Sequence, residues 1–265
     1  MPLFSSKMQK LNVHEYTKII ATIGPASESA EMIEKLINEG VDVFRFNLKH
    51  NELSWHKEKI ALVKSIAKKM DRAIGVLIDL QGPEIRLVTP QSAEVAIVKG
   101  SEITITKQQN DNDSFSLTDD VVLSYLEKGQ KVVVDDGKFQ FEVLKAGKDS
   151  VTLVAHSNGQ LKTRKTLSVP GVYFPLAAIT ARDKEAIKGF ADSPVDFVAL
   201  SFVRSAQDVL DLKKFMVKNG FSGRVISKIE TKLAIDTLDE NLQYQGQIQV
   251  SVRLQLHHLD LLDIS

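Results

Sequence analysis

The spacing of hydrophobic and polar positions changes twice along this chain, and each change marks a different kind of element. From Thr17 to Gln81, short β-branched runs alternate with longer amphipathic stretches. TKIIATIGP, SESAEMIEKLINEGV, DVFRFNL, WHKEKIALVKSIAKKM and AIGVLIDLQ follow one another as strand, helix, strand, helix, strand. The strands are continuous apolar runs, the pattern of a parallel sheet covered on both faces and either closed into a barrel or doubly wound. Ser27 or Ser29 is placed to cap the first helix and Gly40 to stop it.

From about Leu87 to Gly171 the runs shorten and alternate. AEVAIV, SEITIT, KVVVDDGKFQFEVL and SVTLVAH are punctuated by Lys-Gly, Asp-Asp-Gly and Asn-Gly turns, which predicts an all-β insert. The strand and helix rhythm then resumes through ARDKEAIKGFADS, DFVALSF, SAQDVLDLKKFMVKNG, RVISKIE and TKLAIDTLDENL. An insert between the third strand and its helix lies at the sheet end where α/β enzymes bind ligands, a position suited to a lid. The expected plan is an α/β domain in two parts, 1–86 and 172–242, an inserted β domain at 87–171 that folds by itself, and an atypical tail at 243–265. In the tail Ile248, Val250, Val252, Leu254 and Leu256 alternate strictly, the period of a half-buried strand.

Composition narrows the function classes. With 265 residues and 43% hydrophobic content the chain can bury a substantial core. Lys plus Arg and Asp plus Glu each number 34, so no general field attracts nucleic acid or an anionic membrane, and any anion binding is local. The absence of Cys excludes disulfides and thiolate metal sites and fits a reducing compartment. The opening MPLFSSKMQKLNVHEY has no continuous apolar core, and no stretch of 18 apolar residues follows. These features predict a cytoplasmic protein with no nucleic-acid and no membrane partner.

The residues with chemical content cluster at predicted strand ends. Arg45 in RFNLKHN and Arg86 in QGPEIR carry planar guanidiniums that can hold phosphate oxygens bidentately or pair with a neighbouring carboxylate. Lys228 and Glu230, two apart in SKIE, share one side of a strand. His14, His56, His156 and the pair at His257 and His258 have no metal-binding spacing and are read as core or surface.

Taken in order, TKIIATIGPAS, RFNLKHN, DLQGPEIR, ALSFVRSAQDV and ISKIE, around an insert holding VDDG and SVPG, resemble the pyruvate kinase family from about Thr17 to Glu240. The resemblance implies an incomplete (β/α)8 TIM-type barrel with an inserted β-barrel-like lid. It implies transfer of the phosphoryl group of phosphoenolpyruvate to ADP in glycolysis, giving pyruvate and ATP. Such a transition state spreads negative charge over phosphoryl oxygens and asks for cations around it. By resemblance, Lys228 offsets that charge and Glu230 holds Mg2+ or Mn2+, while Arg45 and Arg86 contact substrate or nucleotide phosphate. Asn47 and His50 lie near the nucleotide, and Lys165 reaches it from the insert. Intact members of the family are homo-oligomeric.

Two departures from the family pattern bear on its K+ site, which uses Asn47, position 49, Asp79 and position 80. Lys49 stands where the family has Ser, and Leu80, whose side chain cannot coordinate although its backbone carbonyl still can, where it has Thr. The Lys49 stem can bend to solvent, or its ammonium can take the place of the ion. Glu84 occupies a position where potassium-independent relatives tend to carry Lys. The resemblance stops near residue 242, before the family's Gly-Asp turn that supplies a second carboxylate to the metal. A shifted reading frame, a truncation or a divergent ending each produces such a tail, and impaired turnover is the expectation. The alternatives are a non-catalytic nucleotide-binding or interaction fragment and, against the lid and QGPEIR, a lyase or aldolase using a metal-bound enolate.

Overall fold

The computed structural model describes residues 18–107, 114–230, 232–237 and 248–252. The first rhythm becomes β1 (Ile20–Thr22), α1 (Ala30–Asn38), β2 (Val43–Asn47), α2 (Leu53–Lys69) and β3 (Gly75–Asp79). Ser29 is the residue that caps α1, its hydroxyl accepting the N–H of Met32 at 3.2 Å, while Ser27 closes the preceding turn on Gly24. Gly40 follows the C-cap with φ at +96°, the left-handed conformation that ends a helix at little cost for glycine.

Spacing of three and four residues decides which helix faces are covered. Ile33 and Ile37 are buried on α1, and His56, Ile60, Val63 and Ala67 on α2. On β2 the period is two: Phe44 and Phe46 are fully buried, and Phe46 meets His56 of α2 edge-on at a centroid distance of 6.1 Å. Arg45 and Asn47 therefore point to the opposite face of the sheet. His56 is a core residue, one of the two readings open to it in the sequence, and His156 lies on the surface of the insert. His14, His257 and His258 lie outside the described residues.

The insert holds β4 (Arg86–Val88), β5 (Val95–Ile97), β6 (Glu102–Thr106), β7 (Ser116–Leu117), β8 (Lys131–Val134), β9 (Phe139–Ala146), β10 (Ser150–Ala155), β11 (Gly159–Leu161) and β12 (Lys165–Ser168). Seven of these form a sheet of order β6-β10-β9-β8-β12-β4-β7, and β11 pairs with β5. The neighbouring strands of the seven-stranded sheet pair antiparallel. A bridge from Ile105 of β6 to Phe115, just before β7, brings the two ends of the sheet together, so the insert is nearly a closed barrel. The Asp135-Asp136-Gly137 turn has φ of 56°, 53° and 96° and joins β8 to β9 with Val134 opposite Phe139. Short aspartates tolerate this left-handed run and the glycine requires nothing to tolerate it. A 3-10 segment at Asp120–Tyr125, capped by Asp119, buries Val122 and Leu123 where the alternating pattern had no element.

The chain continues with α3 (Ala181–Gly189), β13 (Phe197–Leu200), α4 (Ala206–Lys218), β14 (Arg224–Ile229), α5 (Lys232–Asp236) and β15 (Ile248–Val252). The six-stranded sheet has the order β1-β2-β3-β13-β14-β15, and β1 with β2, β2 with β3, and β3 with β13 pair in parallel. The tail positions 248–252 thus form a strand, as their alternation predicts, whereas Leu254 and Leu256 lie outside the described residues. Two compact units result. The first runs to Leu80 and takes in Glu185–Ala199 and Met216–Val225, and the second holds Gln81–Lys184, Leu200–Phe215 and the segment from Ile226. Among the described residues no helix is long and apolar enough to cross a membrane.

The apolar core of the insert begins at Ile85 and is packed by Val172, Phe174 and Leu176, beyond the 87–171 span that alternation outlines. Burial of Ile85 alone is worth about 1.5–3 kcal/mol. A fragment 84–177 is expected to show β-type circular dichroism and one cooperative melt, and a fragment 87–171 to melt at lower temperature. Equal melting of the two, or a disordered 84–177, counts against a self-contained core bounded this way.

Asp42 ties β1 to β2 at their starts. Its carboxylate accepts the N–H of Ile19 at 2.9 Å and the ammonium of Lys18 at 3.1 Å, and the Ile19 bond leads in holding its pKa below the usual carboxylate value. A depressed folded pKa contributes stability above the unfolded value that is lost as pH falls through the folded one. Urea midpoints of Asp42→Asn should therefore lie below the parent's at about pH 7 and converge with them as pH falls through the depressed folded value. A gap that stays constant with pH would assign the effect to shape and not to charge.

Candidate functional site

In the first unit the ends of β2 and β3 bring Arg45, Asn47 and Asp79 together. The parallel register sets Asn47 beside Asp79 and Arg45 beside Leu77. Arg45 Nε and Nη2 both donate to Asp79 Oδ2, at 2.8 and 2.6 Å, and Nη1 donates to Thr22 Oγ1 at 2.9 Å. The Asp79 side chain is only 4% exposed and the Arg45 side chain 26%. A carboxylate this dry needs its cation, since removing one partner of a buried pair costs about 3–5 kcal/mol. Of the two sequence readings of Arg45, the carboxylate partner is the one this geometry displays, and the outer guanidinium edge stays partly open to solvent.

The loop after β2 is built on the same pair. Leu48 N–H donates to the Asp79 carbonyl at 3.1 Å, Lys49 N–H to Asn47 Oδ1 at 3.1 Å, and His50 N–H to the Asn47 carbonyl at 3.3 Å. His56 Nε2 lies 2.8 Å from the His50 carbonyl and pins the loop to α2. Lys49 is half-buried and His50 exposed. Leu80 is fully buried and its N–H donates to the Ala199 carbonyl at 3.0 Å, so its side chain serves core packing and offers no oxygen ligand.

In the second unit Lys228 and Glu230 are neighbours in space as well as in sequence. Lys228 Nζ is 3.3 Å from Glu230 Oε1 and donates to Ser201 Oγ at 2.9 Å, and Glu230 Oε2 accepts the N–H of Phe202 at 3.2 Å. Alternation on β14 produces this: Val225, Ser227 and Ile229 are buried on one face, which leaves Ile226, Lys228 and Glu230 on the other. The donor set contains one carboxylate, and among the described residues no group of three or more His, Asp or Glu is poised to hold a metal. Such a set fits a hard cation that shares its shell with phosphate and water and does not fit a closed protein cage.

Arg86 and Lys165 lie on adjacent strands, with Thr166 opposite Arg86 and Lys165 opposite Leu87. Arg86 Nη2 donates to Glu84 Oε2 at 2.6 Å and Nη1 to the Arg164 carbonyl at 2.8 Å. Lys165 Nζ pairs with Asp135 of the left-handed turn at 2.8 Å. Each proposed phosphate-binding cation therefore sits beside one carboxylate: Asp79, Glu84, Asp135 or Glu230.

Several supporting residues escaped the sequence reading. Asp183 is 1% exposed and accepts the N–H groups of Gln81 at 2.9 Å and Gly82 at 3.3 Å, as well as the N–H and hydroxyl of Thr180 at 3.0 and 2.7 Å. Thr180 Oγ1 in turn accepts the Asp183 N–H at 3.1 Å, a reciprocal cap at the start of α3. The Thr-x-x-Asp spacing was the legible signal for the cap, though not for its hold on residues 81 and 82. Thr22 and Ser201 carried no signal, since each contacts a residue far away in sequence.

Residues 14–253 match the family described as pyruvate kinase, barrel domain. Among similar proteins are the pyruvate kinases of Staphylococcus saprophyticus, 35% identical over 240 residues, and Sporosarcina psychrophila, 36% identical over 242. The pyruvate kinase of Staphylococcus aureus strain MRSA252 is 34% identical over 239 residues. In each case the alignment covers 89% of this chain and 41% of the relative, so the chain spans well under half the length of the curated relatives it matches. A parallel α/β sheet with part of a (β/α)8 barrel's strand order, carrying an antiparallel β insert, agrees with that match. The chain belongs to the pyruvate kinase family.

Proposed function

We propose that the protein to which this chain contributes transfers the phosphoryl group of phosphoenolpyruvate to ADP, giving pyruvate and ATP in glycolysis. The Lys228–Glu230 pair at 3.3 Å, on one face of β14 in a chain of this family, is the observation that carries the reading. Transfer breaks the bond between the enol oxygen and phosphorus and forms one to a terminal oxygen of ADP. The enolate left behind takes a proton at its methylene carbon. Lys228 supplies a compact positive charge for both the phosphoryl oxygens and the enolate, and Arg45 and Arg86 supply planar donors that orient phosphate. Asn47, His50 and Lys165 are assigned to the nucleotide. Because each cation already faces a carboxylate, none has to be neutralised from solvent when the site is empty, and the outer N–H groups remain to meet phosphate.

Glu230 would hold Mg2+ or Mn2+ together with substrate oxygens and water, and the ion when bound supplies Lewis-acid stabilisation of the transferring group. At the monovalent site Asn47 and Asp79 are retained, and we assign the charge of K+ to Lys49. A unit charge at about 4 Å is worth roughly 4 kcal/mol at an effective dielectric near 20, enough to replace an ion's electrostatic part. The division into barrel segments 1–86 and 172–242, insert 87–171 and tail 243–265 is proposed on the same basis. So are closure of the insert as a lid, homo-oligomeric assembly and a cytoplasmic location.

With Mg2+ present, phosphoenolpyruvate and ADP are each expected to raise the melting temperature of the chain, since ligand at 100 Kd stabilises by about 2.7 kcal/mol. Lys228→Met should remove the phosphoenolpyruvate shift and lower at least about 100-fold the residual pyruvate formation that this chain sustains. Neither shift nor turnover in the parent sinks the reading. Both shifts without turnover favour a non-catalytic nucleotide-binding fragment, and a phosphoenolpyruvate shift with no response to ADP favours the lyase chemistry.

For Lys49 the check is ionic. Binding of phosphoenolpyruvate should persist when K+ is replaced by a bulky organic cation, and Lys49→Ser should make it K+-dependent. Strict K+ dependence of the parent removes Lys49 from this role.

A further inference from the structure

We infer that the Ser201–Phe202 turn, seated against Gly82, is the positioning element for Lys228 and Glu230. The inference rests on the phosphoryl-transfer reading and adds to it residues that act through the lysine and the carboxylate. Ser201 follows β13 directly and is 1% exposed, and its Oγ accepts the Lys228 ammonium at 2.9 Å. The next residue, Phe202, donates its N–H to Glu230 Oε2 at 3.2 Å. One turn thus presents an acceptor to the cation and a donor to the anion, the polarity each requires.

The Glu230 and Ser201 contacts on Lys228 differ in kind. Glu230 attracts the ammonium and partly cancels its charge, whereas a serine hydroxyl is a neutral acceptor that fixes the direction of one N–H and leaves the charge intact. For a lysine whose task is to meet developing negative charge, the neutral partner is the one that orients without competing.

The turn is held in a conformation it would not choose. Phe202 has φ at +56°, a region that bulky residues avoid and that persists only where the surroundings fix it. Gly82 is part of those surroundings: a Cβ there would lie 3.0 Å from Ser201 Cβ and 3.1 Å from Phe202 Cδ2, and its own φ is +69°. Gly82 is held in turn by Asp183, whose carboxylate takes the N–H groups of residues 81 and 82. Support passes from the start of α3 through the QGPEIR loop to the turn, and from the turn to the lysine and carboxylate.

The test uses the full chain labelled with 15N-lysine, reading proton exchange of the Lys228 ammonium from its 1H–15Nζ signal, assigned by its disappearance in Lys228→Arg. Ser201→Ala is expected to speed that exchange about tenfold or to bleach the signal. Ser201→Cys, of the same shape with a weaker acceptor, should fall between the two. Exchange unchanged in Ser201→Ala, or parent-like in Ser201→Cys while altered in Ser201→Ala, overturns the inference, the second because it would trace the effect to packing. If Ser201→Ala does not fold, Ser201→Cys carries the test alone: faster exchange supports the inference and unchanged exchange overturns it. Phosphoenolpyruvate added to the parent judges the other reading, because a chain whose ammonium responds as expected but which does not bind this ligand sinks phosphoryl transfer and leaves the exchange result standing.

Discussion

A charge taken out of water must be met by an opposite charge or by several hydrogen-bond partners, and this constraint shapes each cluster of functional side chains in the chain. Asp79 is nearly dry and is met by two nitrogens of Arg45. Glu84 has a side chain only 5% exposed and is met by Arg86. Glu230 is met by Lys228 and a backbone N–H, and Asp183 is met by three N–H groups and a hydroxyl. Fixed pairs of this kind contribute little net stability, since the desolvation of both members offsets their attraction. What they provide is direction: each guanidinium and ammonium is fixed in orientation, which on the proposed reading leaves less ordering to be done when an anion binds.

The arrangement depends on strand geometry. A period of two puts Phe44 and Phe46 on one side of β2, and the cost of exposing them keeps Arg45 and Asn47 on the other. The same logic on β14 keeps Lys228 and Glu230 on one face, with Val225 and Ile229 buried on the opposite one. A slip of one residue on either strand would exchange core and site at once. The apolar residues therefore hold the functional residues in register.

This is also why much of the fold was legible in the sequence. Continuous apolar runs, helix spacing in SESAEMIEKLINEGV and alternation in KFQFEVL each follow from burial, which a single sequence records directly. The Asp-Asp-Gly turn was legible because left-handed φ has few candidates. The candidate cations were visible at strand ends, but their carboxylate partners were only partly so. Arg86 and Glu84 are two apart, whereas Arg45 meets an aspartate 34 positions away and Lys228 a serine 27 positions away. Contacts of that range are fixed by strand order, which periodicity does not encode. Packing onto the insert's core from outside the alternating span is equally silent in the sequence: Ile85 and Leu176 do so from segments whose local pattern belongs to neither texture.

Position 80 shows how a core requirement and a binding requirement compete. Its backbone N–H is committed to the sheet and its side chain lies where no solvent reaches, so leucine is favoured by burial and a hydroxyl there would need a partner. A leucine side chain offers no oxygen to a cation, which leaves the backbone carbonyl as the donor that position 80 could give one. Two residues from Asn47, a half-buried lysine provides a charge of the same sign on the same loop. On the proposed reading the two positions are physically coupled: a site that binds K+ less well at position 80 takes its positive charge from Lys49, and the Lys49 ammonium would repel an ion whose ligands were still complete.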